Sequence, residues 1–269
     1  MRSIGSRSNP LVKRLHALAH SARDRRKLNQ TLLDGLHLVE TAQEAEIPLR
    51  EVVVSDQGLA RDEIGRFLAE NPGLDVIHLP DELFNQVSAV DTPSGVMAIM
   101  DLPESSQEQA LTGSVVILDH VQDPGNLGAI IRTTAAVGVR DVLLTPGCAQ
   151  PWSPRALRAG MGGQFVVRIE EQVDATQRMQ AYPGQILATA LCGWARPLYD
   201  YDLQGPVAWL FGGEGQGLTD EMIELSSGVV LIPMCGGIES LNVAAAAAVC
   251  LFEQFRQCSA THQWSGGKA

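Results

Sequence analysis

Residues 115–144 read VVILDHVQDPGNLGAIIRTTAAVGVRDVLL, and this stretch decides the fold. Val115–Leu118 and Asp141–Leu144 are short continuous apolar runs, the pattern of strands buried on both faces of a parallel sheet. Between them Asp123-Pro124-Gly125-Asn126 makes a tight turn that puts Asn126 at the N-cap of an apolar helix, Leu127–Val137. Strand, turn, helix and strand in one short segment form a βαβ unit. The pattern repeats downstream. Phe165–Ile169, Ile186–Thr189, Val207–Phe211 and Val229–Ile232 are expected as strands, and Pro154–Met161, Leu218–Ser226 and Leu241–Gln257 as helices. Ligands of such parallel α/β sheets bind beyond the carboxyl ends of the strands, so the loops there are the place to seek chemistry.

Working backwards from this unit, residues 101–113 (DLPESSQEQALTG) are polar and aperiodic, which marks a linker. It separates residues 1–100 from a second domain over 114–260, followed by a tail at 261–269. In the first part Leu11, Leu15 and Leu18 recur at helix spacing after Asn9-Pro10, where proline suits a first turn. Helices are expected over Leu36–Ala45, Glu63–Glu70 and Glu82–Val87, alternating with strands at Glu51–Val54, Val76–Leu79 and Val96–Met100. This is a small α/β sandwich.

Composition bounds the function. The chain has 269 residues, of which 45% are hydrophobic and 19% charged, enough apolar material for a real core. The longest apolar run, Val243–Phe252, is too short to span a bilayer, and no signal-peptide pattern opens the chain. A soluble, cytoplasmic protein is expected. Its five cysteines show no C-x-x-C pair and no histidine at zinc spacing, so reduced thiols and no metal are expected. The net charge of −11 argues against a surface that grips nucleic acid everywhere. Residues 1–27, however, carry eight cations against Asp24 alone, which leaves −18 on the remainder. Lys13, Arg14, Arg25, Arg26 and Lys27 are therefore candidate phosphate contacts, with a merely solvated helix face as the alternative.

Three strand-end loops concentrate the unusual residues. In the first, Gly128 permits close backbone approach. Arg132 is a charge in a mostly apolar helix, where a guanidinium calls for a carboxylate or phosphate partner. The second, Phe211-Gly212-Gly213-Glu214-Gly215-Gln216-Gly217-Leu218, sets four glycines around one glutamate. It matches neither the dinucleotide fingerprint nor a P-loop. In the third, which runs from Ile232-Pro233-Met234 to Ser240-Leu241-Asn242, Ser240 or Asn242 caps a helix that lacks a polar face and so must be buried, either in the core or against another subunit. Each loop alone has an ordinary reading: a structural salt bridge, a flexible turn, a plain helix start.

Taken together, their order and spacing resemble the SpoU (TrmH) family of SPOUT methyltransferases over roughly residues 114–257. The resemblance rests on Asp123-Pro124-x-Asn126-x-Gly128-Ala129-Ile130-x-Arg132, on Phe211-Gly212-x-Glu214-x-x-Gly217, and on Ile232-Pro233-Met234 with Ser240-Leu241-Asn242. The first part is similar to the substrate-binding domain often fused to these enzymes, through Ser8-Asn9-Pro10 and Thr92-Pro93-Ser94-Gly95-Val96.

The resemblance implies a parallel-sheet domain with a C-terminal trefoil knot, and a homodimer formed through the last helix. It implies methyl transfer from S-adenosylmethionine to a ribose 2′-hydroxyl of RNA, ribosomal RNA ahead of tRNA. A sulfonium methyl is already activated, so alignment and proton removal remain as the enzyme's tasks. Phe211, Gly212, Gly213, Gly217, Ile232, Met234, Gly237 and Leu241 would hold the cofactor. Arg132 matches the family's catalytic arginine. Because a guanidinium stays protonated at working pH, anchoring a phosphate and easing alkoxide formation suit it better than acting as a base. Asn126, Glu214, Ser240 and Asn242 would orient it, the ribose and the cofactor, and Glu214 could pair with Arg132 when RNA is absent. Two rivals are an inactive RNA-binding assembly factor of the same fold and a different α/β enzyme. The late position of the glycine-rich loops disfavours the second rival, since a dinucleotide-binding site needs them after the first strand.

Overall fold

A computed structural model describes residues 1–90, 92–103, 109–236 and 240–259. The chain divides into two compact units, Met1–Glu104 with Gln150–Phe165, and Ser105–Ala149 with Val166–Ala269.

The first unit contains β1 (Arg2–Ser3), α1 (Pro10–His20), α2 (Ala22–Leu28), β2 (Gln30–Asp34), α3 (Leu36–Glu44), β3 (Leu49–Val54), α4 (Asp56–Leu59), α5 (Asp62–Glu70), β4 (Val76–His78), α6 (Asp81–Val87) and β5 (Val96–Asp101). Its sheet runs β1-β4-β3-β5-β2, parallel from β1 to β3 and antiparallel from β3 to β2. Asn9 starts α1 by accepting from the amide of Leu11 at 2.9 Å, with Pro10 in the first turn. Leu11, Leu15 and Leu18 then pack with Phe84 on one sheet face, while Leu38, Val39, Ile64 and Phe67 cover the other. Helices on both faces of the sheet make the expected sandwich. β2 is a strand that the pattern above does not identify, because Thr31-Leu32-Leu33 is too short a run to tell strand from helix.

The second unit holds β6 (Val115–Asp119), α7 (Pro124–Ala136), β7 (Asp141–Leu144), β8 (Arg168–Glu171), α9 (Ala175–Met179), β9 (Gln185–Thr189), β10 (Arg196–Pro197), β11 (Val207–Gly212), α10 (Asp220–Leu225), β12 (Gly228–Leu231) and α11 (Val243–Ser259). The remaining helix, α8 (Pro154–Gly160), belongs to the first unit, where Leu157, Trp152 and Phe165 join the core beside α3 and α5. The carbonyl of Trp152 accepts there from the hydroxyl of Thr31 at 2.6 Å.

All pairings in the seven-stranded sheet, β10-β12-β9-β11-β6-β7-β8, are parallel. Alternate residues of β6 serve two cores. Val116 and Leu118 meet α7 and α11 with Trp209 and Phe211, and Val115 and Ile117 meet the side of α9 and α10. The order reverses at β6. From it the chain builds β7 and β8 on one side and the remaining strands on the other. A crevice beyond the strand ends at such a switch point is where this architecture binds ligands.

One expectation needs correction. The strand placed at Phe165–Ile169 forms instead at Arg168–Glu171, after a 3-10 turn at Gly163–Phe165. Its apolar residues divide between cores, Phe165 to the first unit and Val167 and Ile169 to the second. The final helix gives one face to this core and leaves another exposed. Val243, Ala247, Cys250 and Leu251 face the core, while Ala245 and Phe252 are exposed.

Candidate active site

Helix α7 begins one residue-turn earlier than expected, and this sets the geometry of the site. Asp123, not Asn126, is its N-cap and accepts from the amide of Asn126 at 2.9 Å, with Pro124 in the first turn. Asn126 therefore lies inside the helix with its amide side chain released from capping duty. That side chain is used in both directions. Its Nδ2 donates to Glu214 Oε1, and its Oδ1 accepts from Asn242 Nδ2 at 3.0 Å.

Asn242 performs the capping expected of Ser240 or Asn242. Its Oδ1 accepts from the amides of Ala244 and Ala245 at 2.9 and 3.2 Å. One hydrogen-bonded chain, Glu214–Asn126–Asn242, thus ties together the loops that follow β11, β6 and β12. Ser240 is exposed close by in sequence, with no hydrogen bond among the described residues.

The glycine-rich loop is a folded structure, not a flexible turn. Gly213 and Gly217 form an antiparallel bridge, and the Gly213 amide donates to the carbonyl of Asp119 at 2.8 Å. A Cβ on Gly213 would stand 2.1 Å from the carbonyl oxygen of His120, and one on Gly212 would stand 2.1 Å from the backbone of Gly217. Only glycine allows this closeness.

Beneath the loop lies a carboxylate that the sequence reading did not single out. Asp119 is buried at the end of β6. Its Oδ2 accepts from the amide and hydroxyl of Thr219, both at 3.1 Å, and its Oδ1 accepts from Thr145 Oγ1 at 2.9 Å and His120 Nδ1 at 2.8 Å. Burial pushes its pKa up, but these bonds outweigh burial and hold it below the ordinary carboxylate value. The available signal was an acidic residue closing an otherwise apolar strand, VVILD.

Arg132 is exposed, and among the described residues it makes no ion pair or hydrogen bond. The partner expected for it is not Glu214, whose carboxylate is engaged by Asn126. Ile232 and Met234 are half-buried and Leu241 is exposed, which leaves apolar side chains open at the carboxyl edge of the sheet. Gly237 lies outside the described residues. An exposed carboxylate, open apolar side chains and backbone freed of side chains suit a cofactor that joins a cationic centre to an apolar ring system. The residues present therefore fit S-adenosylmethionine.

The basic segment divides. Lys13, Arg26 and Lys27 are exposed. Arg14 is half-buried in an ion pair with Glu51. Arg25 is 5% exposed, and its guanidinium donates to Gln150 Oε1 at 2.7 and 2.9 Å and to the carbonyl of Leu18 at 2.8 Å. Of the five candidate cations it is the one spent inside the unit. Among the described residues no helix is long and apolar enough to cross a membrane, and no group of three or more acidic, histidine or cysteine side chains is placed to hold a metal ion.

Comparison with known proteins adds the following. Residues 113–252 match the SpoU rRNA Methylase family, and residues 9–98 match the MRM3-like substrate binding domain. An uncharacterized tRNA/rRNA methyltransferase of Synechocystis is 32% identical over 98% of this chain and 95% of its own. The 23S rRNA (guanosine(2553)-2′-O)-methyltransferase RlmP of Bacillus subtilis is 30% identical over 94% of this chain and 98% of its own. The AdoMet-bound rRNA methyltransferase from Sinorhizobium meliloti superposes with a TM-score of 0.80 at 28% identity, covering 94% of this chain and 97% of that one.

Proposed function

The chain belongs to the SpoU rRNA Methylase family, and from that premise we propose that it transfers a methyl group from S-adenosylmethionine to a ribose 2′-hydroxyl of ribosomal RNA. The observation that carries the site assignment is the Glu214–Asn126–Asn242 chain, which gathers three strand-end loops at the point where the sheet order reverses. S-Adenosylmethionine, when bound, supplies an activated sulfonium methyl. The protein's part is to align the ribose oxygen with it and to ease loss of the hydroxyl proton.

In this reading the loop that Gly212, Gly213 and Gly217 fold presents its backbone to the cofactor, and Ile232, Met234 and Leu241 cover its apolar portion. Glu214 would offer negative charge to the cofactor's cationic sulfonium. Its fixed bond to Asn126, itself held by Asn242, limits the carboxylate to one orientation. Exposed Arg132 anchors an RNA phosphate and offsets the charge that develops on the 2′-oxygen as its proton passes to solvent water.

The first unit, built on residues 1–100, serves as the RNA-binding part, with Lys13, Arg26 and Lys27 on phosphates and Arg25 fixing the helices that present them. The exposed apolar face of α11, with Phe252 51% exposed and edge-on to Phe255, supports a homodimer through that helix. A cytoplasmic location, where ribosomal RNA is available, follows from the proposed substrate.

Transfer of radiolabelled methyl groups to unmodified ribosomal RNA, with tRNA as competitor, tests the reading. Labelling of ribosomal RNA that Asn126→Ala reduces at least tenfold is expected. Label on tRNA alone would overturn the substrate, and full activity in the variant would overturn the site. Phe252→Glu should sediment as a monomer; an unchanged dimer would move the interface elsewhere.

A further inference from the structure

We infer that the connection between β9 and β10 is a base-stacking platform for the RNA substrate, with Trp194 as its face. The inference rests on the RNA-methyltransferase reading and extends it to a residue that no strand-end motif includes.

Strand register supplies the placement. On one side of β12, Thr189 of β9 registers with Val230, and the amide of Ala190 donates to the Val230 carbonyl at 3.4 Å. On the other side, Arg196 of β10 registers with the same Val230, and Pro197 with Leu231. The segment 190–195 must therefore cross β12 near its carboxyl end, beside the point where Ile232–Met234 leave the sheet. That is the edge that carries the candidate active site.

Within and just after this crossing the side chains are those of a nucleic-acid contact. Leu191, Trp194 and Tyr199 are 60%, 62% and 58% exposed, whereas Trp209 and Phe211 in the same unit are completely buried. Keeping an indole in water forgoes about 2 kcal/mol or more of burial. A fold with a large core has no structural need to leave it there.

Charge points the same way. From Ala190 to Leu198 the only charged residue is Arg196. It is held in place by its position 4.7 Å from the centre of the Tyr201 ring and by a 3.0 Å bond to the carbonyl of Asp200. A fixed guanidinium two residues from an exposed indole, on a chain whose net charge is −11, suits a base stacked on the ring and a phosphate beside it. The crossing lies at the edge that carries the candidate active site, which favours the RNA substrate as its occupant over a second protein.

The test compares wild type with Trp194→Ala and Trp194→Phe in the full chain. It measures the KM for ribosomal RNA, the Kd for S-adenosylhomocysteine by calorimetry, and the sedimentation coefficient. Trp194→Ala should raise the KM about tenfold or more. Trp194→Phe, which keeps a π-face, should recover most of that loss. Cofactor-product affinity should stay within twofold, and sedimentation should not change. An unchanged KM in Trp194→Ala overturns the platform. A comparable loss of S-adenosylhomocysteine affinity assigns the ring to adenine instead, and a change in sedimentation assigns it to a second copy of the chain; either also overturns it. If wild type methylates no RNA, the functional reading fails first. If wild type is active and Trp194→Ala keeps its KM, only the platform fails.

Discussion

At the carboxyl edge of the second unit's sheet, polar side chains from three loops are bonded to one another, so each holds the next. Along α1 and α2 of the first unit the cations are not linked at all. Arg25 is buried as an anchor, Arg14 is paired at the margin, and Lys13, Arg23, Arg26 and Lys27 stand in solvent. The first region behaves as a single device in which every part matters. The second behaves as a scaffold with separable contacts. The difference lies in what fixes the side chains: strand ends and helix starts in one case, a helix surface in the other.

That contrast can be tested by substitution. The largest effect is expected at Arg132. Arg132→Ala should lower kcat for methyl transfer by about 10²–10³-fold, as removal of a charge-stabilising group in other active sites does, with S-adenosylhomocysteine affinity intact. Normal turnover in that variant would remove the arginine from the mechanism.

Next comes the glycine loop. The 2.1 Å approach of a Cβ on Gly213 to the His120 carbonyl should make Gly213→Ala cost about 1–3 kcal/mol and weaken S-adenosylhomocysteine binding. Thermal melts and calorimetry read both, and a melting curve like that of wild type would contradict the described packing.

In the basic segment the account separates neighbours. Arg25→Ala should destabilise by about 1–3 kcal/mol, because it orphans the Gln150 side chain and the Leu18 carbonyl. Arg26→Ala and Lys27→Ala should change stability by less than about 0.5 kcal/mol, yet each should reduce the salt slope of RNA binding by about one. If Arg25 and Arg26 gave the same pattern, the division into anchor and contact would collapse.

The smallest effect is a pH dependence. Asp119 has a folded pKa below its ordinary value, so its contribution is complete above about pH 4 and is lost as pH falls through the depressed value. Asp119→Asn should therefore flatten the acid side of a plot of Tm against pH. A parallel shift across the whole range would place the stabilisation elsewhere.

How much of this was legible in the sequence follows the same division. Continuous apolar runs such as VVILD and VAWLF revealed the parallel strands, because burial on both faces leaves no other composition. Asn126, Glu214 and Asn242 were legible because glycines and helix starts at strand ends restrict what a polar residue there can do. The capping residue was misplaced by three positions, since Asp123 and Asn126 are both good caps and only the fold decides between them. Arg25 could not be separated from Arg26 by composition. Its burial depends on Gln150, 125 residues away, which the sequence gives no means of pairing with it. Asp119 was hidden because a buried carboxylate is recognised by its donors, and Thr145 and Thr219 come from distant turns. The return of residues 150–165 to the first unit was equally invisible, because Pro154–Gly160 carries the periodicity of any α/β helix.

The central claim is ribose methylation at this strand-end site, and the most direct test is to look at the product. Purified protein is incubated with S-adenosylmethionine and unmodified ribosomal RNA, the RNA is digested to nucleosides, and methylated species are identified by mass spectrometry. The account predicts a single 2′-O-methylated nucleoside that is absent with Arg132→Ala. A base-methylated nucleoside, or a ribose-methylated one that persists in that variant, would contradict it.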